Sequence, residues 1–164
     1  MNHDETEVLL SLAQVAVAFA GFSAIVVLFG RGDGGRWRRA HADRFHGMVV
    51  HAMVAVFFCL LPLLLGALTT DRATIWNVAS VLLGLEIVLH VSGVLVMPTT
   101  IGIGSRLLIG TGYAFAAIQF MNVAGFEFDH DFRAYLIGVV WHVVMSGMLF
   151  LLLIWIPRSD VLPE

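Results

Sequence analysis

Long uninterrupted apolar runs constrain this chain more than any other feature of its sequence. A helix needs about 20 mostly apolar residues to cross the hydrocarbon core of a bilayer. Five runs of that kind follow one another, at about 8–29, 45–68, 75–97, 103–123 and 132–156. They predict an all-α, polytopic transmembrane bundle of about five spans, which forms a single integral membrane domain over residues 1–164.

The overall composition agrees with a membrane protein. Hydrophobic residues make up 59% of the chain and charged residues only 13%, whereas a soluble domain carries about 45–50% and roughly 25%. A soluble fold of this size would lack the polar residues to cover its surface. The runs are also continuous, and a transmembrane β-barrel would instead show short segments of alternating hydrophobicity.

The fourth run is the least regular of the five. It is rich in glycine and contains Arg106, Gln119 and Asn122. A re-entrant or broken helix is therefore the alternative to a full span at this place. In the second run Pro62 is expected to be tolerated, because neighbouring helices can satisfy the backbone groups that a proline frees.

Arginine placement predicts the orientation of the bundle. With five spans, most arginines fall on one side of the membrane, and the acidic segments 4–7 and 127–131 fall on the other. The positive-inside rule then predicts an outside N-terminus and a cytoplasmic C-terminus, in a bacterial-type cytoplasmic (inner) membrane. Trp76 and Tyr135 lie near span ends, where an aromatic belt is expected. The arginines of the cytoplasmic side are Arg31, Arg36, Arg38, Arg39, Arg44, Arg106 and Arg158.

Residue counts exclude several function classes. The chain contains no lysine, which excludes Schiff-base chemistry on a lysine, including a retinal-binding pump. Its one cysteine, Cys59, excludes an intramolecular disulfide and a thiolate-rich metal site. A net charge of −3 gives no basic surface for nucleic acid. Enzymatic chemistry is not expected either, since no loop is long enough to carry an active site.

Glu86 is the most informative residue of the sequence, because it lies near the middle of the third run. A bare carboxylate at that depth is costly, so Glu86 should be protonated or paired. His90 follows four residues later and shares its helix face. We therefore expect His90 to be the partner of Glu86 within the same helix.

Further polar side chains lie inside the other runs. If ordered by depth from the outer side, they form a series of polar or titratable groups across the membrane, which is typical of proton and ion pathways. This pattern predicts a small oligomeric channel or transporter for protons or small cations. The series is Gln14, Gln119 and Asn122, then His142, Glu86, His90 and His51.

Three alternatives use the same residues. In the first, Glu86, the histidines and the amides only hold the helices together, and the chain is a non-catalytic accessory subunit. In the second, Glu86, His90 and His51 bind a transition metal. In the third, His51 and His90 are the axial ligands of a noncovalent haem. The sequence is therefore compatible with no cofactor, with a transition metal or with haem.

Partners follow from the composition of the helices and of the first loop. Five short helices make a thin bundle, and rows of small residues such as Ala16, Ala20 and Ala24 favour close helix contacts; we expect a homo-oligomer in a lipid bilayer. The first loop lacks the Lys-Ser/Thr ending of a phosphate loop. Its arginines are expected to bind anionic lipid headgroups, and they are Arg31, Arg36, Arg38 and Arg39.

Overall fold

A computed structural model describes residues 2–29, 39–96, 103–126 and 130–154. Those residues form helices and no strand, which confirms the all-α prediction. Helices α1, α2, α3 and α5 are long and apolar enough to cross a membrane, and α4 has a shorter apolar stretch, Leu108–Val123. The helices are α1 (His3–Phe29), α2 (Arg39–Leu68), α3 (Arg72–Val96), α4 (Ile103–Val123) and α5 (Phe132–Ile154).

The helices agree with the predicted apolar runs, but α1, α2 and α3 begin three to six residues earlier, and polar residues cap α1 and α3. In front of α1, the Asn2 side chain accepts a hydrogen bond from the Glu5 backbone N–H at 2.9 Å. The Glu5 carboxylate accepts one from the Asn2 N–H at the same distance. This reciprocal capping satisfies two backbone donors that a helix start leaves free, so α1 extends beyond its apolar run.

Asp71 caps α3 with its side chain. Its carboxylate accepts hydrogen bonds from the side-chain hydroxyl and the backbone N–H of Thr74. These bonds, led by the hydroxyl bond, favour the charged carboxylate and lower the pKa of Asp71. The cap therefore contributes stability above the ordinary pKa of an aspartate, and that contribution is lost as the pH falls through the lowered value.

Helix α5 lies at the centre of the bundle and packs against each of the other four helices. It runs antiparallel to α2, since the Ser146 hydroxyl donates to the Met48 carbonyl at 3.1 Å and the Tyr135 hydroxyl donates to the Phe58 carbonyl. These two hydrogen bonds join α5 to α2 at two separate heights. They set the register that brings the polar side chains between them together.

Helices α3 and α4 form a second antiparallel pair. The Asn122 amide donates to the Ser80 hydroxyl at 3.0 Å near one end. The Ser92 and Tyr113 hydroxyls are 3.0 Å apart near the other. Helix α4 therefore follows α3 along most of its length as a continuous helix within the described residues. Helix α2 likewise continues through Pro62.

The expectation of an aromatic belt is wrong for Trp76 and Tyr135. Both side chains are fully buried, and their ring centroids lie 5.6 Å apart. The Phe132 ring also packs against Trp76, with ring centroids 5.3 Å apart. These aromatic rings fill the interior between α3 and α5 instead of facing lipid headgroups, because burial and ring contacts stabilise them there.

An ion pair joins the beginnings of α1 and α3. The Arg72 guanidinium binds the Glu5 carboxylate through both terminal nitrogens. The Glu5 side chain is only 6% exposed, whereas that of Arg72 is 48% exposed. Because the buried partner is the carboxylate, loss of the arginine would leave a buried charge with only its backbone contact.

Replacing Arg72 with alanine is expected to lower the free energy of unfolding by about 1–3 kcal/mol, the usual cost of an unsatisfied buried polar group. Arg133 offers a matched control, since its side chain is 86% exposed and lies 3.9 Å from Asp131. Arg133→Ala should change the stability by less than about 1 kcal/mol. Unfolding in detergent measures both variants, and equal losses would contradict the assigned role of Arg72.

Candidate functional site

The structure brings four of the predicted polar residues into one cluster. Glu86 and His90 come from α3, His51 from α2 and His142 from α5. All four are ionisable, and they meet near the middle of the bundle. The remaining described side chains of that core are mainly apolar, so these residues, called the Glu–His cluster below, are the clearest candidate for function.

Glu86 contacts two histidines with its two carboxylate oxygens. The Oε2 atom lies 2.9 Å from Nε2 of His142, and the Oε1 atom lies 3.6 Å from Nδ1 of His90. His142, on another helix, is therefore closer to Glu86 than the expected partner His90. The His142 contact is short but poorly aligned, since Oε2 and Nε2 form no hydrogen bond of good geometry among the described residues.

His142 also contacts His51 with its other ring nitrogen. The two Nδ1 atoms are 3.0 Å apart, which is a hydrogen-bonding distance whose donor depends on the tautomers. The ring of His90 packs against that of His51, with centroids 4.5 Å apart. Glu86, His142 and His51 thus form a series of contacts across α3, α5 and α2, with His142 in the middle.

Exposure differs across the cluster. The side chain of His142 is completely buried, and His51 is 2% exposed. The side chains of Glu86 and His90 are 24% and 19% exposed. The α3 edge of the cluster therefore opens to the outside of the bundle, while its α2–α5 side is closed by protein.

Trp141 encloses the cluster, and sequence reasoning missed it. Its ring lies edge-on to that of His51, at a centroid distance of 5.5 Å, and it also contacts the ring of His142. The indole N–H donates to the Thr111 hydroxyl on α4 at 3.4 Å. The one available signal was a tryptophan beside a histidine in the middle of an apolar run, away from either membrane interface.

Gln119 and Asn122 are fully buried on α4, nearer the beginning of α5. The Gln119 amide donates to the Ala134 carbonyl at 2.7 Å, and its Oε1 atom has no hydrogen-bond partner among the described residues. Asn122 accepts from the Asp131 backbone N–H at 2.8 Å. Both amides hold α4 against the beginning of α5, and Gln119 packs next to Gly138, one turn before His142.

The remaining predicted residues lie elsewhere. Gln14 is exposed on α1, and the structure does not bring it to the Glu–His cluster. Arg31, Arg36 and Arg38 lie outside the described residues, and so does the side chain of Arg39, at the start of α2. Their expected contact with lipid headgroups therefore stays a prediction.

The cluster does not have the geometry of a metal site. Within the described ranges, no three His, Cys, Asp or Glu side chains are arranged to hold a metal ion. Two axial nitrogens on one iron stand about 4 Å apart, at about 2 Å from the metal each, and their ring centres are farther apart still. The rings of His51 and His90, with centroids 4.5 Å apart, leave no room for a haem iron between them.

The chemistry available to the cluster is proton transfer. A neutral imidazole carries a donor nitrogen and an acceptor nitrogen, and histidine titrates near neutral pH. A carboxyl group can accept or release a proton at either oxygen. No family model, curated protein or solved structure matches this chain.

Proposed function

We propose that this chain is a multi-pass membrane protein that moves protons or small cations along the Glu–His cluster. One observation carries the proposal: Glu86, His142 and His51 are in successive contact across three helices. Ionisable side chains inside membrane helices are expensive to maintain, and they mark ion and proton pathways. A purely structural contact between helices would need no series of three titratable groups.

Five spans and a defined orientation belong to this proposal. Helix α4 has 21 residues, and at 1.5 Å per residue this length covers a hydrocarbon core of about 30 Å. Its antiparallel packing along α3 supports a full span instead of a re-entrant segment. Five spans place the N-terminus outside and the arginine-rich segments in the cytoplasm, as in a bacterial cytoplasmic membrane, with the arginines of the first loop at the lipid headgroups.

Two buried amides support a polar route from the cluster toward the outer side. Gln119 packs next to Gly138, which precedes His142 by one turn of α5. Asn122, one turn beyond Gln119, accepts a hydrogen bond from the Asp131 backbone N–H near the beginning of α5. The buried Oε1 atom of Gln119 lacks a partner among the described residues, which suits a position where water or a proton carrier would pass.

A homo-oligomer is proposed from the exposed edge of the cluster. Glu86 and His90 are partly exposed on a helix face whose other members are apolar, including Leu85 and Leu89. Lipid offers no hydrogen bonds to such groups, and a second copy of the chain would cover them. The mass of the detergent-purified protein tests this: a stable monomer contradicts the oligomer, and a larger copurifying protein would favour an accessory subunit.

Reconstitution tests the proposed function. The protein is inserted into vesicles that contain a pH-sensitive dye, and an inside-negative potential is imposed. We expect the interior of these vesicles to acidify faster than that of protein-free vesicles, or a sodium or potassium tracer to enter faster. Rates equal to those of protein-free vesicles, for every ion tested and with correctly inserted protein, would contradict the proposal.

A further inference from the structure

His142 is the central member of the contact series. Its Nε2 atom faces Glu86 at 2.9 Å and its Nδ1 atom faces His51 at 3.0 Å. An imidazole has only these two nitrogens, so both polar ends of His142 are engaged within the cluster. The side chain is 0% exposed. A proton that moves from Glu86 to His51 along these contacts must therefore be relayed by the two nitrogens of the His142 ring.

The contacts permit two proton arrangements. In the first, Glu86 is a carboxylic acid that faces an unprotonated Nε2 of His142, and the Nδ1–H of His142 donates to His51. In the second, the Nε2–H of His142 faces a carboxylate, and His51 donates from Nδ1 to His142. One atom of each facing pair must donate and the other must accept, so the two arrangements place the protons on opposite sides of the same contacts.

We propose, on the basis of the proposed function, that the cluster conducts only protons and excludes metal cations. The protons are relayed through His142. In the forward step the Glu86 carboxyl gives its proton to Nε2 of His142, while Nδ1 of His142 gives its proton to Nδ1 of His51. One O–H and one N–H bond break, and two N–H bonds form. Glu86 becomes a carboxylate, His142 remains neutral as the opposite tautomer, and His51 becomes an imidazolium.

An alkali cation has no comparable route. Such an ion gives up its hydration shell only where oxygen atoms replace it, as in selectivity filters built from carbonyl groups. Beyond the two oxygens of Glu86, the series continues with imidazole nitrogens, and the His142 ring is closed off by protein. A proton needs no cavity because it is relayed from one atom to the next.

The same geometry identifies the slow steps. The Oε2 atom of Glu86 is close to His142 but not aligned for a hydrogen bond, so the carboxyl group must rotate before the first transfer. After one hop His142 carries the opposite tautomer, and His51 does so once it releases the proton from its Nε2 atom. Both imidazoles must then be reset before the next proton. Trp141 packs against the rings of both His142 and His51, and this packing restricts their reorientation.

Flux measurements with His142→Gln test the inference. Glutamine retains one donor and one acceptor group but cannot relay a proton through its amide. Proton flux and the entry of radiolabelled sodium and rubidium are measured in parallel vesicle samples. We expect proton flux without sodium or rubidium flux in the unmodified protein, and a roughly 100-fold loss of proton flux in the variant, the usual contribution of a positioned proton-transfer group.

His3→Gln is the matched control, because the His3 side chain is 83% exposed and should leave proton flux unchanged. Equal elution volume and helix content show that His142→Gln is folded. Proton flux that persists in His142→Gln overturns the relay. Sodium or rubidium flux that falls on replacement of Glu86 overturns the proton-only inference and leaves the proposed function standing. Absence of flux for all three ions overturns both.

Discussion

Replacing Glu86 with glutamine is expected to reduce proton flux in reconstituted vesicles roughly 100-fold, the usual contribution of a positioned proton-transfer group. Glutamine has nearly the same shape and can still form hydrogen bonds with His142 and His90. It cannot take up and release a proton near neutral pH. The substitution therefore removes the first member of the relay without removing the packing around it.

Glu7→Gln is the control for Glu86→Gln. Glu7 lies on α1, where its side chain is 65% exposed and 3.2 Å from His3, far from the Glu–His cluster in the chain and in the bundle. Proton flux in the Glu7→Gln variant should match that in the unmodified protein. Because Glu86→Gln removes an ionisable group from membrane depth, the variant should also be at least as stable. Unchanged proton flux in a correctly folded Glu86→Gln variant would contradict the role of Glu86 in the proton path.

Replacing Gly112 with alanine is expected to lower the free energy of unfolding by about 1–3 kcal/mol, the usual cost of overpacking. A Cβ atom at this position would lie 2.4 Å from Cγ2 of Val91 and 3.3 Å from the Trp141 ring. Valine is stiff at χ1, so Val91 cannot simply turn aside. The added methyl group must push α4 away from α3 and α5.

Gly110 is a matched control on the same helix, two residues earlier. Nothing lies within 4 Å of a Cβ atom built there, and alanine favours a helix over glycine by about 1 kcal/mol. Gly110→Ala should therefore leave the stability unchanged or raise it slightly. Unfolding in mixed detergent micelles compares the two variants. Equal stabilities would show that α3 and α4 are not in the close contact described above.

The sequence predicts the helices well because membrane spans follow from length and hydropathy. Polar caps are a separate signal, and they explain why α1 begins at His3 and α3 at Arg72, before the apolar runs. The pairing of Asn2 with Glu5 is readable as a capping pattern only when the helix start is already known. The prediction for Trp76 is wrong because nearness to a span end does not reveal which helix face a ring occupies.

The candidate site was only partly predictable. Glu86 and His90 share a face through their spacing within one helix, so their proximity follows from the sequence. The closer contact of Glu86 with His142 depends on the register of α5 against α3, which no local pattern specifies. Gln14 is the opposite case. Its depth is compatible with the path, but it lies on a face of α1 that points away from the bundle interior, where its side chain is exposed.

The contact between His51 and His142 is the most direct test of the account. Solid-state NMR of the protein in lipid bilayers, with isotopically labelled histidine nitrogens, reports nitrogen pairs in close contact. We expect a correlation between the Nδ1 atoms of His51 and His142, which are 3.0 Å apart. It should disappear in His51→Asn and in His142→Asn and persist in His3→Asn. A correlation that is absent from the unmodified protein, or that survives either of the first two substitutions, would contradict the relay.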